Sequence, residues 1–135
     1  MAGYSGTPLA KKLGFKAGYR IRTTGAPDNY LELVHPVPSN VAISGRITRN
    51  IDIWHIFTRS YVELESKLPA LMRAVQPNGA IWVSWPKKSS GVPSTVTEDS
   101  IREIALPMGL VDVKVCAVDA VWSGLKLVVR KELRK

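Results

Sequence analysis

A single cysteine, Cys116, stands in a chain of 135 residues, so no internal disulfide forms and no thiolate set for zinc exists. The two histidines, His35 and His55, have neither metal-ligand spacing nor a nucleophile nearby in sequence. Also missing are a Walker-type phosphate loop and any apolar run approaching the roughly 20 residues that cross a bilayer. The N-terminus has no apolar stretch ahead of a small-residue cleavage site, which excludes a secretory signal. These absences point to a reducing compartment such as the cytoplasm, with no membrane partner and no metal. Acid is scarce at the start: Lys11, Lys12, Lys16, Arg20 and Arg22 all precede the first carboxylate, Asp28. With a basic tail added, the net charge is +8, which attracts phosphate-bearing partners, although solubility and a solvated tail account for it more simply.

What is present is globular. Hydrophobic residues make up 45% and charged residues 22%, so one folded domain is expected over 1–135, with 1–18 as a helical lead-in. Thr7-Pro8-Leu9 opens a short helix and Gly14 stops it. Tyr19 to Thr24 alternates as a strand, Asn29 to His35 suits a brief helix, and Val41 to Ser44 is a short strand. Ile51 to Phe57 is apolar on both faces, the mark of a central parallel strand. Ser60 and Glu63 form a capping-box pattern ahead of an apolar stripe through Leu64, Leu68, Leu71 and Val75. Pro69 predicts a kink or restart there, and Asn78-Gly79 predicts the helix end. Ala80 to Trp85 is a second buried strand. Past a Lys/Ser/Gly/Pro loop, Thr97-Glu98-Asp99 opens a helix with acids at its positive end. Val111, Val113, Val115 and Ala117 predict a strand with that face buried, and Leu125, Leu127 and Val129 its return partner near a sheet edge. Strands alternating with helices give an α/β fold: a three-layer, Rossmann-like, mostly parallel sheet with a C-terminal antiparallel hairpin.

Two resemblances follow from particular stretches. A-K-K-L-G-F-K-A-G-Y-R, W-V-S-W-P-K-K and D-A-V-W-S-G-L-K-L-V resemble a family of small bacterial proteins known only as a domain of unknown function, which supplies no activity. I-D-I-W-H-I-F-T and Q-P-N-G-A-I-W-V-S-W, within residues 51 to 131, resemble more distantly the S-adenosylmethionine-dependent methyltransferases. That second resemblance implies a glycine-rich turn after the first strand and a carboxylate ending the second, to meet cofactor backbone and ribose hydroxyls. Here the first turn reads Thr24-Gly25-Ala26-Pro27-Asp28, and the second strand ends Ile43-Ser44-Gly45-Arg46. No acid lies between Glu32 and Asp52. The segment joining the first strand to the central strand is also short, as though one strand–helix unit were missing. The usual cofactor pose is therefore not expected, and no cofactor is assigned.

Ligands of such sheets sit beyond the carboxyl ends of the strands. Those ends deliver Thr24, Gly25 and Asp28; Arg59 and Ser60; Trp85, Lys87 and Lys88; and, from the hairpin turn, Asp119, Trp122 and Ser123. Arg59 and the lysines suit a phosphate or carboxylate, and the tryptophans offer a flat face to a ring or cation. Bland explanations stand beside these. Ser60 is accounted for by capping, the lysines by solvation, Trp85 by the end of the core, and Trp122 with Gly124 by the hairpin turn. His55, mid-strand, reads as a satisfied core histidine. No catalytic constellation emerges. The expected function is a non-catalytic binding module, with an anionic or nucleotide-like ligand or a protein partner at the carboxyl edge. The alternative is a divergent methyltransferase, and the third reading is charge-driven nucleic-acid binding.

Overall fold

Six strands form one sheet in the order β2-β1-β3-β4-β6-β5 in a computed structural model that describes residues 7–134. The strands are β1 (Arg20–Thr24), β2 (Ala42–Ser44), β3 (Ile51–Phe57), β4 (Val75–Pro86), β5 (Leu110–Ala117) and β6 (Trp122–Val129). The pairings β1–β2, β1–β3 and β3–β4 are parallel, whereas β6 runs antiparallel to both β4 and β5. The fold is thus mixed α/β, mostly parallel with an antiparallel pair. The helices are α1 (Leu9–Lys12), α2 (Tyr30–Val34), α3 (Tyr61–Ala74) and α4 (Glu98–Met108). The part of the lead-in before Thr7 lies outside the described residues.

The sheet is covered on both faces. Leu64, Leu68 and Leu71 of α3 and Ile101, Ile104 and Ala105 of α4 pack with Ile51, Ile56, Ile81 and Leu127. On the other face Ala10, Leu13, Phe15, Tyr30 and Val34 pack with Ile21, Ile53 and Trp82. Burial on two faces explains why β3 and the latter half of β4 read as nearly continuous apolar runs. Trp82 is fully buried, and its indole N–H donates to the Leu13 carbonyl at 2.9 Å, fastening the lead-in to the sheet. Between β2 and β3, residues 45–50 hold no helix. Arg22 donates to the Ile47 carbonyl at 2.7 Å and Arg20 to that of Arg49 at 3.0 Å, so two β1 arginines hold this loop. Arg22 also lies over the Trp54 ring at 4.5 Å.

Several expectations are corrected. The helix α3 ends at Ala74, not at Asn78-Gly79; Val75 already has extended geometry and pairs with Ile51. The pairing then jumps from Ile51–Val75 to Ile53–Ala80, so Gln76 to Gly79 form an irregularity inside β4. Gly79 serves close approach there, since a Cβ would stand 2.6 Å from the Asp52 carbonyl oxygen. Helix α3 does not restart at Pro69, because buried Leu68 and Leu71 on either side outweigh the lost hydrogen bond. Val113 and Val115 are 56% and 46% exposed rather than buried. A register break between Asp112 and Lys114 reverses the expected alternation; the return strand β6 does lie near a sheet edge, with β5 as the outermost strand on that side. Gly124 lies inside β6 rather than in the turn. A Cβ there would meet the Ser84 hydroxyl and the Trp82 ring at 3.1 Å each.

Replacing Trp82 with alanine empties a fully enclosed site and removes the tie to Leu13. Urea denaturation of Trp82→Ala should show a loss of roughly 3–5 kcal/mol.

Candidate functional site at the carboxyl edge

The chain leaves β1 for β2 on one side and returns to β3 on the other, which places a topological switch point between the ends of β1 and β3. The hairpin turn reaches this same edge, because Trp122 pairs with Pro86. Gly25, after β1, has φ +68, and a Cβ on it would lie 2.6 Å from the Phe57 carbonyl oxygen. Glycine here brings the turn against β3's own backbone. Beneath it, the Phe57 ring stacks on His55 at 4.3 Å and meets Tyr30 and Trp122 edge-on at 5.7 and 5.1 Å. Thr24 accepts the Trp54 indole N–H at 2.8 Å, while Asp28 is exposed just ahead of α2. The Asp119 carboxylate accepts the amides of Val121 and Trp122, each at 2.8 Å, and so is committed to shaping the turn. Ser123 is paired within the sheet, opposite Trp85.

A buried hydrogen-bonded chain lies under this aromatic group. The Tyr30 hydroxyl is 2.8 Å from His55 Nδ1, and His55 Nε2 is 2.7 Å from the Ser84 hydroxyl. A neutral imidazole donates through one nitrogen and accepts through the other, so both are satisfied. Burial lowers the His55 pKa from 6.5 to about 3 and pushes the Tyr30 phenol above its ordinary range. His55 is fully enclosed, which makes it a structural histidine rather than an accessible base.

Open space lies instead around the loop 87–96. One cleft of about 700 Å³ is lined by Arg59, Ser60, Glu63, Pro93, Ser94 and Thr95. A second, of about 530 Å³, is bordered by Trp85, Lys88, Val92, Val96 and Glu98 and shares Ser94 with the first. The loop is tied down: the Thr95 amide donates to the Arg59 carbonyl at 2.9 Å, and its hydroxyl accepts from the Tyr61 amide at 2.8 Å. Ser60 caps α3 by accepting from the Glu63 amide at 3.1 Å. The Glu63 carboxylate, however, takes the Thr58 hydroxyl rather than the Ser60 amide, and that bond holds its pKa below the usual range. The amides of Ser60, Tyr61 and Glu63 are therefore engaged by side chains, leaving α3 a weakened anion cradle. Trp85 is 8% exposed and belongs to the core, while Lys87 is anchored through its amide to the Val121 carbonyl at 2.7 Å. So the structure brings Arg59 and Ser60 together, sets Trp85 and Lys88 in the adjoining cleft, and keeps Thr24, Gly25, Asp28, Asp119 and Trp122 out of both linings. Ser94, Thr95 and Glu98 are lining residues that the sequence reading missed. The signal available was the run Pro93-Ser94-Thr95 leading into a helix cap.

The family described as "Protein of unknown function (DUF3052)" matches residues 49–131, a span that contains β3 to β6. The chain belongs to that family. Comparison with curated proteins returned no match. Among solved structures it is similar to an S-adenosylmethionine-dependent methyltransferase from Aquifex aeolicus, with 15% identity and a TM-score of 0.63. That alignment covers 90% of this chain and 88% of the other. An O-methyltransferase of neocarzinostatin biosynthesis, solved with S-adenosylmethionine, aligns at 11% identity and TM-score 0.64 over 95% of this chain and 51% of its own. A protein of the NADB-Rossmann superfamily from Streptococcus agalactiae aligns at 11% identity and TM-score 0.58 over 94% and 70%. At these identities the likeness shows the fold, which is the Rossmann-like methyltransferase fold of the DUF3052 chain.

The cofactor of that fold does not fit the residues present. The turn at Gly25 lies against the Phe57 carbonyl, and the Phe57 side chain is itself buried, packed against Trp122. Strand β2 ends at Ser44, whose hydroxyl takes the Arg46 amide at 3.0 Å, and no carboxylate stands there for ribose hydroxyls. Asp52 sits at the opposite end of the sheet and accepts the Arg20 amide at 2.8 Å. Among the described residues, no group of three or more His, Cys, Asp or Glu could hold a metal ion, and no helix is long and apolar enough to cross a membrane.

Two outcomes test this geometry. Gly25→Ala should cost roughly 1–3 kcal/mol in strain, visible as a lower urea midpoint. Unfolded His55 gains a proton near pH 6.5, but the folded ring resists until about pH 3. The folded chain thus binds fewer protons across that window, and acid favours unfolding. The His55 contribution is complete above about pH 6.5 and declines towards about pH 3, by up to about 1.4 kcal/mol per unit. His55→Gln should lower stability at neutral pH and flatten its dependence between about pH 6.5 and 5, read from urea midpoints.

Proposed function

We propose that this chain is a binding module that takes an anionic, ring-bearing small ligand in the paired clefts flanking the loop 87–96. The observation that carries the reading is their shared wall. Ser94 borders both, with Arg59 available to a phosphate or carboxylate in one and Trp85 and Lys88 beside apolar Val92 and Val96 in the other. Arg59 is exposed and forks towards planar anions better than a lysine does. The inward-facing polar groups that could serve as base or nucleophile, His55 and Ser84, are buried and bonded to each other.

A panel of nucleotides and carboxylate metabolites, followed by thermal melting and Trp fluorescence, tests this reading. A ligand at a hundred times its Kd adds about 2.7 kcal/mol, enough to raise Tm by roughly 5 °C or more. The shift should vanish in Arg59→Ala and shrink in Lys88→Ala. A panel that moves neither signal removes the reading. A divergent S-adenosylmethionine-dependent methyltransferase is the competing reading, motivated by fold likeness. Calorimetry with S-adenosylmethionine separates the two, and no heat of binding is expected.

A further inference from the structure

Strand β5 is an open edge with an unusual setting. Among the described residues only β6 pairs with it, so its outer N–H and C=O groups have no strand partner. The register break and Lys114 restrain indiscriminate pairing, yet Val113 and Val115 remain exposed beside them. A cavity of about 470 Å³ lies along this edge, between Lys11 and Lys12 of α1 and the segment Lys114 to Ala117. Among the described residues its lining includes no carboxylate. On the neighbouring strand, Lys126 is close enough to Lys114 and Lys16 that they add to burial in holding its ammonium below the ordinary lysine range.

Alternation along the strand sorts these groups. Cys116 packs with the cluster that contains Ala10 of α1 and Leu13 just after it, so Lys114, two residues away, faces the same side. Val115 faces the opposite side. The strand therefore presents Lys114 on one face and Val115 on the other, with a backbone between them that has no outer strand partner among the described residues.

We propose that the outer edge of β5 docks an extended acidic segment of a partner protein. The segment adds to the sheet as a further strand. Its carboxylates face Lys11 and Lys114, and the apolar residues between them face Val115. Nucleic acid is a poorer occupant, since it cannot pair with a strand edge and gains nothing from Val115. A second copy is also disfavoured, because pairing β5 with itself sets like charges side by side on chains of net charge +8. This surface is separate from the clefts at the loop 87–96, so it stands or falls without them.

The test uses the full chain and a short fluorescent peptide of alternating glutamate and valine, followed by fluorescence anisotropy. N-methylation along one edge of the peptide should weaken binding about tenfold, while methylation along the other edge should not. Lys114→Glu should weaken it by a similar factor, with circular dichroism confirming the fold. Lys114→Thr, a β-favouring neutral residue, should have a smaller effect in the same direction and serves if the glutamate variant misfolds. The proposal is overturned by any of four results. The peptide fails to bind, both methylated peptides bind as well as the parent, or a DNA oligonucleotide competes with the peptide and binds Lys114→Glu undiminished. Sedimentation showing a dimer that dissociates in Lys114→Glu would equally overturn it.

Discussion

The hydrogen-bonded chain from Tyr30 through His55 to Ser84 is the constraint around which the carboxyl edge is built. Strand β3 at His55 and the latter half of β4 are covered on both faces, so His55 and Ser84 must find their partners inside the protein. His55 does so by drawing Tyr30 of α2 inward and meeting Ser84 across the strand pair. Gly124 of β6 completes the arrangement, since only a residue without a side chain lets that strand pass so close to Ser84 and Trp82. Removing one member would leave its neighbours buried without partners, which costs more than the bond itself contributes.

That internal satisfaction has a consequence at the surface. With α2 drawn in, Phe57 is enclosed by His55, Tyr30 and Trp122, and the crevice between β1 and β3 is filled by protein. The turn at Gly25 closes over it. Elsewhere on the same edge the loop 87–96 is tied to the α3 start by Thr95, and open clefts remain beside it with a cation in each. The DUF3052 chain thus keeps the frame of its structural neighbours while the open space lies elsewhere on the edge. The loop 45–50, pinned by Arg20 and Arg22, occupies the connection where the resemblance implies a further strand–helix unit.

Much of the architecture was legible because it rests on local or periodic signals. The apolar run Ile51 to Phe57 marked a strand covered on both faces, and its bounds agree with β3. Thr97 marked the start of α4, where it and Ser100 close a full capping box. The lack of an acid after β2 was visible directly. Errors arose where a local signal was reused for a long-range purpose. Asn78-Gly79 looks like a helix stop, but Val75 was already recruited by Ile51 from a distant strand. Val113 and Val115 alternate as a buried face should, but the register break at the edge turns them outward. In the candidate cleft, Arg59 and Ser60 are legible as a strand end, whereas Ser94 and Thr95 are not, because their neighbours come from across the edge.

By itself, the sequence determined the strands and helices, their order, the cationic excess and the want of a ribose acceptor, because periodicity, caps and charge are carried by neighbouring residues. Only the tertiary structure decided which glycines serve turns and which serve contact, that β5 rather than β6 is the open edge, and that the crevice is filled while the clefts beside it are not. Those outcomes depend on pairing register and on side chains meeting from remote segments. Three-dimensional packing settles both, and no pattern along the chain encodes them locally.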